Sequence, residues 1–313
     1  MGYAQGINAV MHVGFETTPG VTPSTGFHKV PLVSHSLGEE RPLIEDDQLG
    51  FGRDGLDPVY DVATNDGDVV VPVDHRAFGL WLKLFFGAPF TTTVSTGRYQ
   101  HAFTSGAGSL PSCSIEIGSP EVPSYSVNYG AMVNQIRIAM ARSGMLNATL
   151  SMIAQGETDL MSTSVAGTPT TFVNNRFMQA TGQIAIDGEV IGNIVSADIS
   201  ISNGLDKVEV IKADGRIDGA VPGVTMAQIR FTARFKSLDL HNKATSGTPV
   251  EITDLGWGEG LNGLRFRFPR VFLPRVKRPI TTPRGIVQDF NCQASGKGGN
   301  KIFATLSNDV AAY

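Results

Sequence analysis

Residues Asp68–Pro89, DVVVPVDHRAFGLWLKLFFGAP, set a β-branched run directly before a strongly apolar helix. Val69, Val70, Val71 and Val73 favour a pleated strand. Asp74 can cap the helix, because its carboxylate accepts from the unpaired amides of a first turn. Gly87 supplies a left-handed terminus, and Pro89 prevents the helix from resuming. Phe78, Trp81, Leu82 and Phe85 recur at helical spacing. Leu80, Leu84 and Phe86 widen the apolar face beyond that of a surface helix. A run of about a dozen residues is too short for a membrane span, which needs about 20. The block reads as a core helix plugging a β-sheet, with Phe78, Trp81, Leu82 and Phe85 as its core or neighbour-facing side chains.

A second, fainter copy lies at an offset of 160 residues. Arg53-Asp54-Gly55-Leu56-Asp57 meets Ala213-Asp214-Gly215-Arg216-Ile217-Asp218, and Gly87-Ala88-Pro89 meets Gly247-Thr248-Pro249. Upstream, Val33-Ser34 meets Val195-Ser196 with two residues of slippage, and the strand opened by Gly144 has a counterpart opened by Gly285. The shared order is strand, long Asp-Gly-bearing excursion, strand, helix, Gly-x-Pro, paired strands. A period this long exceeds any solenoid repeat and fits a tandem domain duplication. The second helix is shorter and more polar, with Asp239, His241, Asn242 and Lys243.

Composition agrees with a β-rich chain. At 313 residues there is length for two cores, and 36 glycines and 17 prolines with only 17% charged residues suit many short strands joined by turns. A net charge of −4 does not imply a broad nucleic-acid-binding surface. The start, MGYAQGINAV, lacks the basic and apolar regions of a signal peptide, and no apolar window reaches 18 residues, so a soluble cytosolic product is expected. Cys113 and Cys292 have no metal-like spacing and read as buried or free thiols.

Along the chain, residues 1–27 read as an extended Gly/Thr/Pro-rich arm, and Lys29–Leu37 as a strand. The polar excursion after it reads as a solvated or partner-facing loop, with Asn65-Asp66-Gly67 a turn. Further strands are expected at Tyr99–Thr104 and Cys113–Gly118. Met132–Ala141 and Met145–Ala154 form a hairpin with one apolar face. Residues 158–175 read as a linker. In the second half, strands are expected at Gln179–Ile186, Ile194–Ile201, Lys207–Ile211, Gln228–Phe235, Gly263–Leu273, Gly285–Ala294 and Lys301–Leu306, with Ser237 capping the short helix.

No catalytic set emerges. The six histidines are scattered, there is no Gly-x-Ser-x-Gly elbow, and Gly256-Trp257-Gly258-Glu259-Gly260 lacks the strand–turn–helix setting of a nucleotide site. The basic run Arg265, Arg267, Arg270, Arg275, Lys277 and Arg278 interleaves with Phe266, Phe268 and Phe272. Strand alternation puts the charges on one exposed or subunit-contact face and the phenylalanines in the core. The chain is not expected to be an enzyme, and no cofactor or metal is expected.

The segment E-T-T-P-G-x-T-P (Glu16 to Pro23), the helix ending WLKLFFGAP, Y-Q-H-A-F-T, LPSCSIEIG and the Gly130–Ala154 hairpin together resemble the tail tube proteins of long-tailed bacteriophages, in the class with two tandem tube domains. The resemblance implies a mainly β fold of two tandem antiparallel β-sandwich or barrel domains, each with one flanking α-helix. The first would span 1–157 with the N-terminal arm and long loop 38–66, the linker 158–175, and the second domain 176–313. It further implies a structural virion protein, made in the bacterial host cytoplasm. Its copies would self-assemble into stacked trimeric, pseudo-hexameric rings forming a hollow tube that conducts DNA. The partners implied are the chain itself, a tape measure protein inside the tube, tail terminator and distal tail or baseplate proteins at its ends, and DNA in transit without sequence-specific binding. The long loop would reach a neighbouring subunit or the next ring through Glu39, Glu40, Arg41, Leu43, Ile44, Phe51, Arg53 and Asp54. A two-domain β-sandwich adhesin of a tail tip and the inner tube of a contractile tail are the alternative readings.

Overall fold

A computed structural model describes residues 3–280 and 285–313. The first half contains β1 (Val10–Phe15), β2 (His28–Val30), β3 (Ser34–His35), β4 (Gly38–Glu40), β5 (Leu43–Ile44), β6 (Val59–Tyr60), β7 (Thr64–Pro72), α1 (Phe78–Phe86), β8 (Phe90–Ser95), β9 (Arg98–Thr104), β10 (Cys113–Ser119), β11 (Ser124–Met140) and β12 (Asn147–Ile153). Two short strands, β13 (Gly156–Glu157) and β14 (Thr170–Thr171), lead onward. The second half contains β15 (Gly182–Ile186), β16 (Glu189–Val190), β17 (Ile194–Ser202), β18 (Asp206–Lys207), β19 (Ala220–Val221), β20 (Met226–Arg234), α2 (Asp239–Ser246), β21 (Val250–Glu259), β22 (Asn262–Phe272), β23 (Val287–Ala294) and β24 (Phe303–Asn308). The protein is mainly β, as expected, with two α-helices among the described residues.

Strand pairing shows one pattern twice. In the first half the antiparallel order is β2–β1–β10–β11–β12–β7–β4. In the second it is β16–β15–β21–β22–β23–β20–β17. The register repeats as well. Ser34–Val70, His35–Val69, Gly38–Asp66 and Glu40–Thr64 recur as Ser196–Thr232, Ala197–Phe231, Ser200–Gln228 and Ser202–Met226, every residue shifted by 162. Likewise Leu150–Val69 recurs as Phe290–Phe231, and Met132–Ile153 as Phe272–Gln293, which shifts β11 and β12 by 140. The two-residue slippage at Val33-Ser34 is thus the true strand register, while the helix ends keep the 160 offset.

The halves join edge to edge. The C-terminal part of β11 pairs with β17 from Gln135–Ser202 to Met140–Ala197, and β9 pairs with β24. β11 reaches this junction by bending: its N-terminal part pairs with β10, its C-terminal part with β12 and β17. The bend falls at Gly130, whose φ of 62° is the left-handed conformation that favours glycine. The Gly130 amide donates to Glu16 Oε1 at 2.8 Å.

Beneath this sheet lies α1. Eight of its nine residues are buried, and only Lys83 is half-exposed. Burying each large apolar side chain stabilises the fold by roughly 1.5–3 kcal/mol. Asp74 Oδ1 accepts from the Arg76 and Ala77 amides, both at 2.7 Å, so the predicted cap forms one turn ahead of the regular helix. At the other end Gly87 takes a φ of 93° and its amide donates to Lys83 O. Gly79 is needed for a different reason: a Cβ there would meet the Tyr313 ring at 2.1 Å. Tyr313 lies across the helix and donates its hydroxyl to Arg76 O at 2.6 Å. In the second half, α2 buries only Ala244. No described helix is long and apolar enough to cross a membrane.

Several local expectations need correction. The N-terminal stretch is a packed element, not a loose arm: β1 lies between β2 and β10 with Met11–Gly14 buried. Glu16 anchors the chain just after β1, accepting from Gly20 N, Ser112 Oγ, Ser114 Oγ and Gly130 N. Asn65-Asp66-Gly67 is no turn but part of β7, where buried Asn65 donates to Asn128 Oδ1. The strand expected over Lys29–Leu37 is divided after Val30, next to Pro31, into β2 and β3. Only the first residue of Lys207–Ile211 lies in a strand. β8 and β21, unread from the sequence, extend the sheets. The segment 158–175 lies along the first-half sheet, with Ser164 Oγ and Val165 N on Glu116 and β14 parallel to β2. Both cysteines are buried and unpaired.

Candidate assembly surfaces

Six strands, in the order β7–β12–β11–β17–β20–β23, form a continuous antiparallel sheet across both halves. Successive side chains on a strand point to opposite faces, so each ladder row is either core or surface. One set of rows is apolar: Val69–Leu150–Ile136–Ile201–Ala227 and Val71–Ala148–Ile138–Ile199–Ile229–Cys292, all buried. Among the other rows are Asp68–Ser151–Gln135–Ser202 and Thr149–Arg137–Ser200–Gln228–Gln293, all exposed or half-exposed. The polar face is knitted together by its own side chains. Gln135 Nε2 donates to Ser200 Oγ at 2.7 Å, Ser151 Oγ to Asp68 Oδ1 at 2.6 Å and Thr232 Oγ1 to Asp289 Oδ1 at 2.5 Å. Its charges are mixed: Asp66, Asp68, Asp198 and Asp289 against Arg137, Arg230 and Arg234. Every strand contributing to it alternates, and that alternation is the sequence signal for this surface.

A second surface is the excursion between β4 and β7, which folds back as a two-stranded arm. β4 pairs with the start of β7, and beyond it Leu43 faces Tyr60 and Ile44 faces Val59 across β5–β6. The base of this arm is fastened to the equivalent excursion of the second half. Arg216 forms two bonds to the Glu39 carboxylate, Arg41 donates to Asp214 O, and Ala63 N donates to Gly215 O at 3.0 Å. Burial raises the Glu39 carboxyl, but the Arg216 guanidinium and the Glu157 amide outweigh it and hold the group below its ordinary value. Lys207 Nζ also reaches Asp66 Oδ2 at 2.7 Å.

Of the loop residues singled out from the sequence, Glu39 is drawn into this clamp and Glu40 ends β4. Arg41 bridges to Asp214, while Leu43 and Ile44 form β5. Phe51, Arg53 and Asp54 lie apart at the exposed tip. Phe51 is 56% exposed, and Leu43, Ile44, Val59 and Tyr60 are exposed alongside it. Such a grouping of apolar side chains on a projecting hairpin is typical of a surface that meets a protein partner. By contrast Phe78, Trp81, Leu82 and Phe85 are at most 1% exposed and have no surface to offer a neighbour.

The basic run divides in two. In β22, Arg265 and Arg267 are exposed and pair with Asp254 and Glu251, while Phe266 and Phe268 are buried, as alternation predicts. Phe272 is a correction: it is 40% exposed, because the strand has by then turned at Pro269-Arg270 to pair with β23. Arg275, Lys277 and Arg278 come next, on an exposed segment outside any described strand.

Residues 6–294 match the family model for the phage tail tube protein. No curated protein matches the chain.

Proposed function

This chain belongs to the phage tail tube protein family, and from that premise we propose that it is the self-assembling subunit of a hollow tail tube whose channel is lined by the polar sheet face. The observation that carries this reading is the six-stranded sheet itself. It is apolar on one side, mostly polar on the other and continuous across both halves, passing from β7 to β3 and β4 at one end and from β23 to β22 at the other. A wall built from such sheets presents small polar and mixed-charge side chains to whatever passes along it. Aromatic side chains, which would stack on bases and retard a nucleic acid, are missing from the polar rows of Asp68 and Thr149. The face carries four aspartates and three arginines, so phosphates meet neither a basic trap nor a uniformly acidic wall.

The repeated pairing pattern supports two tandem tube domains, 1–157 and 176–313, joined by 158–175. Three subunits would place six similar sheets around the axis, a ring closed by heterologous contacts. The arm at Leu43–Tyr60, with Leu43, Ile44, Val59 and Tyr60 exposed on β5 and β6, is the part that reaches the next subunit or the next ring, and DNA passes through the bore without specific binding. Negative-stain electron microscopy of the purified protein tests the proposal. Rings or tubes with a central channel are expected, and a monodisperse monomer under all conditions would overturn it.

A further inference from the structure

The two helices are entered through differently built ends. In the first half, the chain leading into α1 is covered by the segment that follows the linker. The His75 amide donates to Asn175 O at 2.8 Å, the Phe177 amide to Val73 O at 3.0 Å, and the Phe177 ring lies 4.3 Å from that of His75. In the second half a cavity of about 180 Å³ opens at the start of α2, between the Ile191–Asn193 loop, the end of β20 and the first residue pair of β23. Its polar lining is Arg234, Lys236, Ser237, Asp239, Lys243 and Gln288. The repeat shows that this polarity belongs to the second half alone. The ladder pairs Asn147–Pro72 and Ala148–Val71 recur as Val287–Arg234 and Gln288–Ala233, so Pro72 and Ala148 stand where the second half has Arg234 and Gln288.

Gln288 is the residue out of place. It is 3% exposed, on the side of β23 that otherwise buries Phe290, Cys292 and Ala294, and its Nε2 has no acceptor among the described residues. A buried amide left without an acceptor is costly, and one that lines a cavity has room for an acceptor to be supplied from outside. Around it, Arg234 and Lys236 are exposed and have no carboxylate partner among the described residues. Lys243 is a third cation, held by Asp187. The helix adds its own donors, because the amides of Asp239, Leu240 and His241 precede its first internal bond, Asn242 N to Leu238 O at 2.7 Å. One acid opposes them: Asp239, whose Oδ2 accepts from Ser237 Oγ at 2.6 Å. We infer that this cavity binds a tetrahedral oxyanion, phosphate or sulfate. Gln288 Nε2 donates from the buried side, Arg234 and Lys236 supply the charge, and the α2 amides complete the cradle. A water occupies about 30 Å³ of liquid, so the cavity has room for such an ion with part of its hydration. The site does not depend on the tube reading.

Titration calorimetry of the full chain with inorganic phosphate, at constant ionic strength made up with chloride, tests the site. Saturable binding at one site per chain is expected. Gln288→Met removes the amide at similar volume, and Lys236→Ala removes a surface charge. Each is expected to weaken binding by about tenfold or more, the cost of one hydrogen bond or contact to a charged group. Thermal melts separate binding from folding. The wild type should melt higher in phosphate than in chloride of equal ionic strength. Gln288→Met should melt no lower than the wild type in chloride and should gain nothing from phosphate. A short DNA duplex carries the same group bound in a chain, and it is expected not to displace phosphate. Absence of saturable binding, equal wild-type melts in the two salts, or unchanged affinity in Gln288→Met would overturn the site. Displacement by the duplex would overturn its assignment to a free ion. If Gln288→Met does not fold, Lys236→Ala decides, since an exposed lysine is not part of the core, and unchanged affinity there would overturn the site.

Discussion

Arg216 grips Glu39 with both ends of its guanidinium, Nε 2.6 Å from Oε2 and Nη2 2.9 Å from Oε1, and so ties the excursion of one half to that of the other. The pair is mostly shielded from solvent and has the parallel two-bond geometry that makes arginine–carboxylate contacts specific. Arg216→Ala is expected to lower stability by roughly 1 kcal/mol and to raise proteolysis near Arg41. Glu39 is held below its ordinary value, so this contribution is complete above about pH 4.5 and is lost as the pH falls through the lower folded value. Limited proteolysis and denaturant melts at pH 7 and pH 3.5 check both expectations; equal losses at the two pH values would contradict the assignment.

Asp74 behaves in the opposite sense. Burial pushes its carboxyl up from 3.8 to about 6, against the pull of the three amides it caps. A raised acid stabilises the fold below its unfolded value and loses that contribution as the pH rises through the folded one. The wild type should therefore lose on the order of 2–3 kcal/mol from this residue between pH 3.8 and 6. Asp74→Asn keeps an acceptor but cannot ionise, so its stability profile should be flatter than the wild type's across that window. Parallel profiles would show that the carboxyl does not titrate there.

Trp81 is 1% exposed at the centre of α1. Trp81→Ala is expected to cost about 3–5 kcal/mol, through lost burial and the cavity left behind. Calorimetry should show a lower melting temperature with no separate population of fully stable, assembly-defective subunits. Wild-type stability combined with failed polymerisation would instead place Trp81 in a contact between subunits.

Phe51 presents the reverse case. It sits at the exposed tip of the arm, where surface substitutions ordinarily change stability by less than about 0.5 kcal/mol. Phe51→Ser should leave the monomer's melt unchanged and reduce polymer yield in sedimentation. A normal polymer yield would remove the tip from the assembly contact.

Much of this architecture was legible because burial imposes a period. The helix from Phe78 to Phe86 and the alternation of Ile136 and Ile138 with Gln135 and Arg137 announce which side faces the core. So does the pairing of Gly87 with Gly247 at two helix ends, both at positive φ. Local composition misled where tertiary pairing overrode it. Gly256 looks like a loop residue, yet β21 needs it because a Cβ there would meet Leu264 O at 2.1 Å. Asn65-Asp66-Gly67 spells a turn but lies in β7, where the buried Asn65 side chain donates to Asn128 Oδ1. The polar face was harder to see than the core, since no short segment contains it. It exists only after β11 meets β17, a contact between residues more than fifty positions apart.

A cryo-electron-microscopy reconstruction of the assembled protein tests the central claim most directly. The account predicts a hollow tube whose channel wall is the sheet face bearing Asp68, Ser151, Gln135, Ser200 and Gln228, with the Leu43–Tyr60 arm buried in an adjoining subunit. A filament with no bore, or a tube with that face turned to the outside, would contradict it.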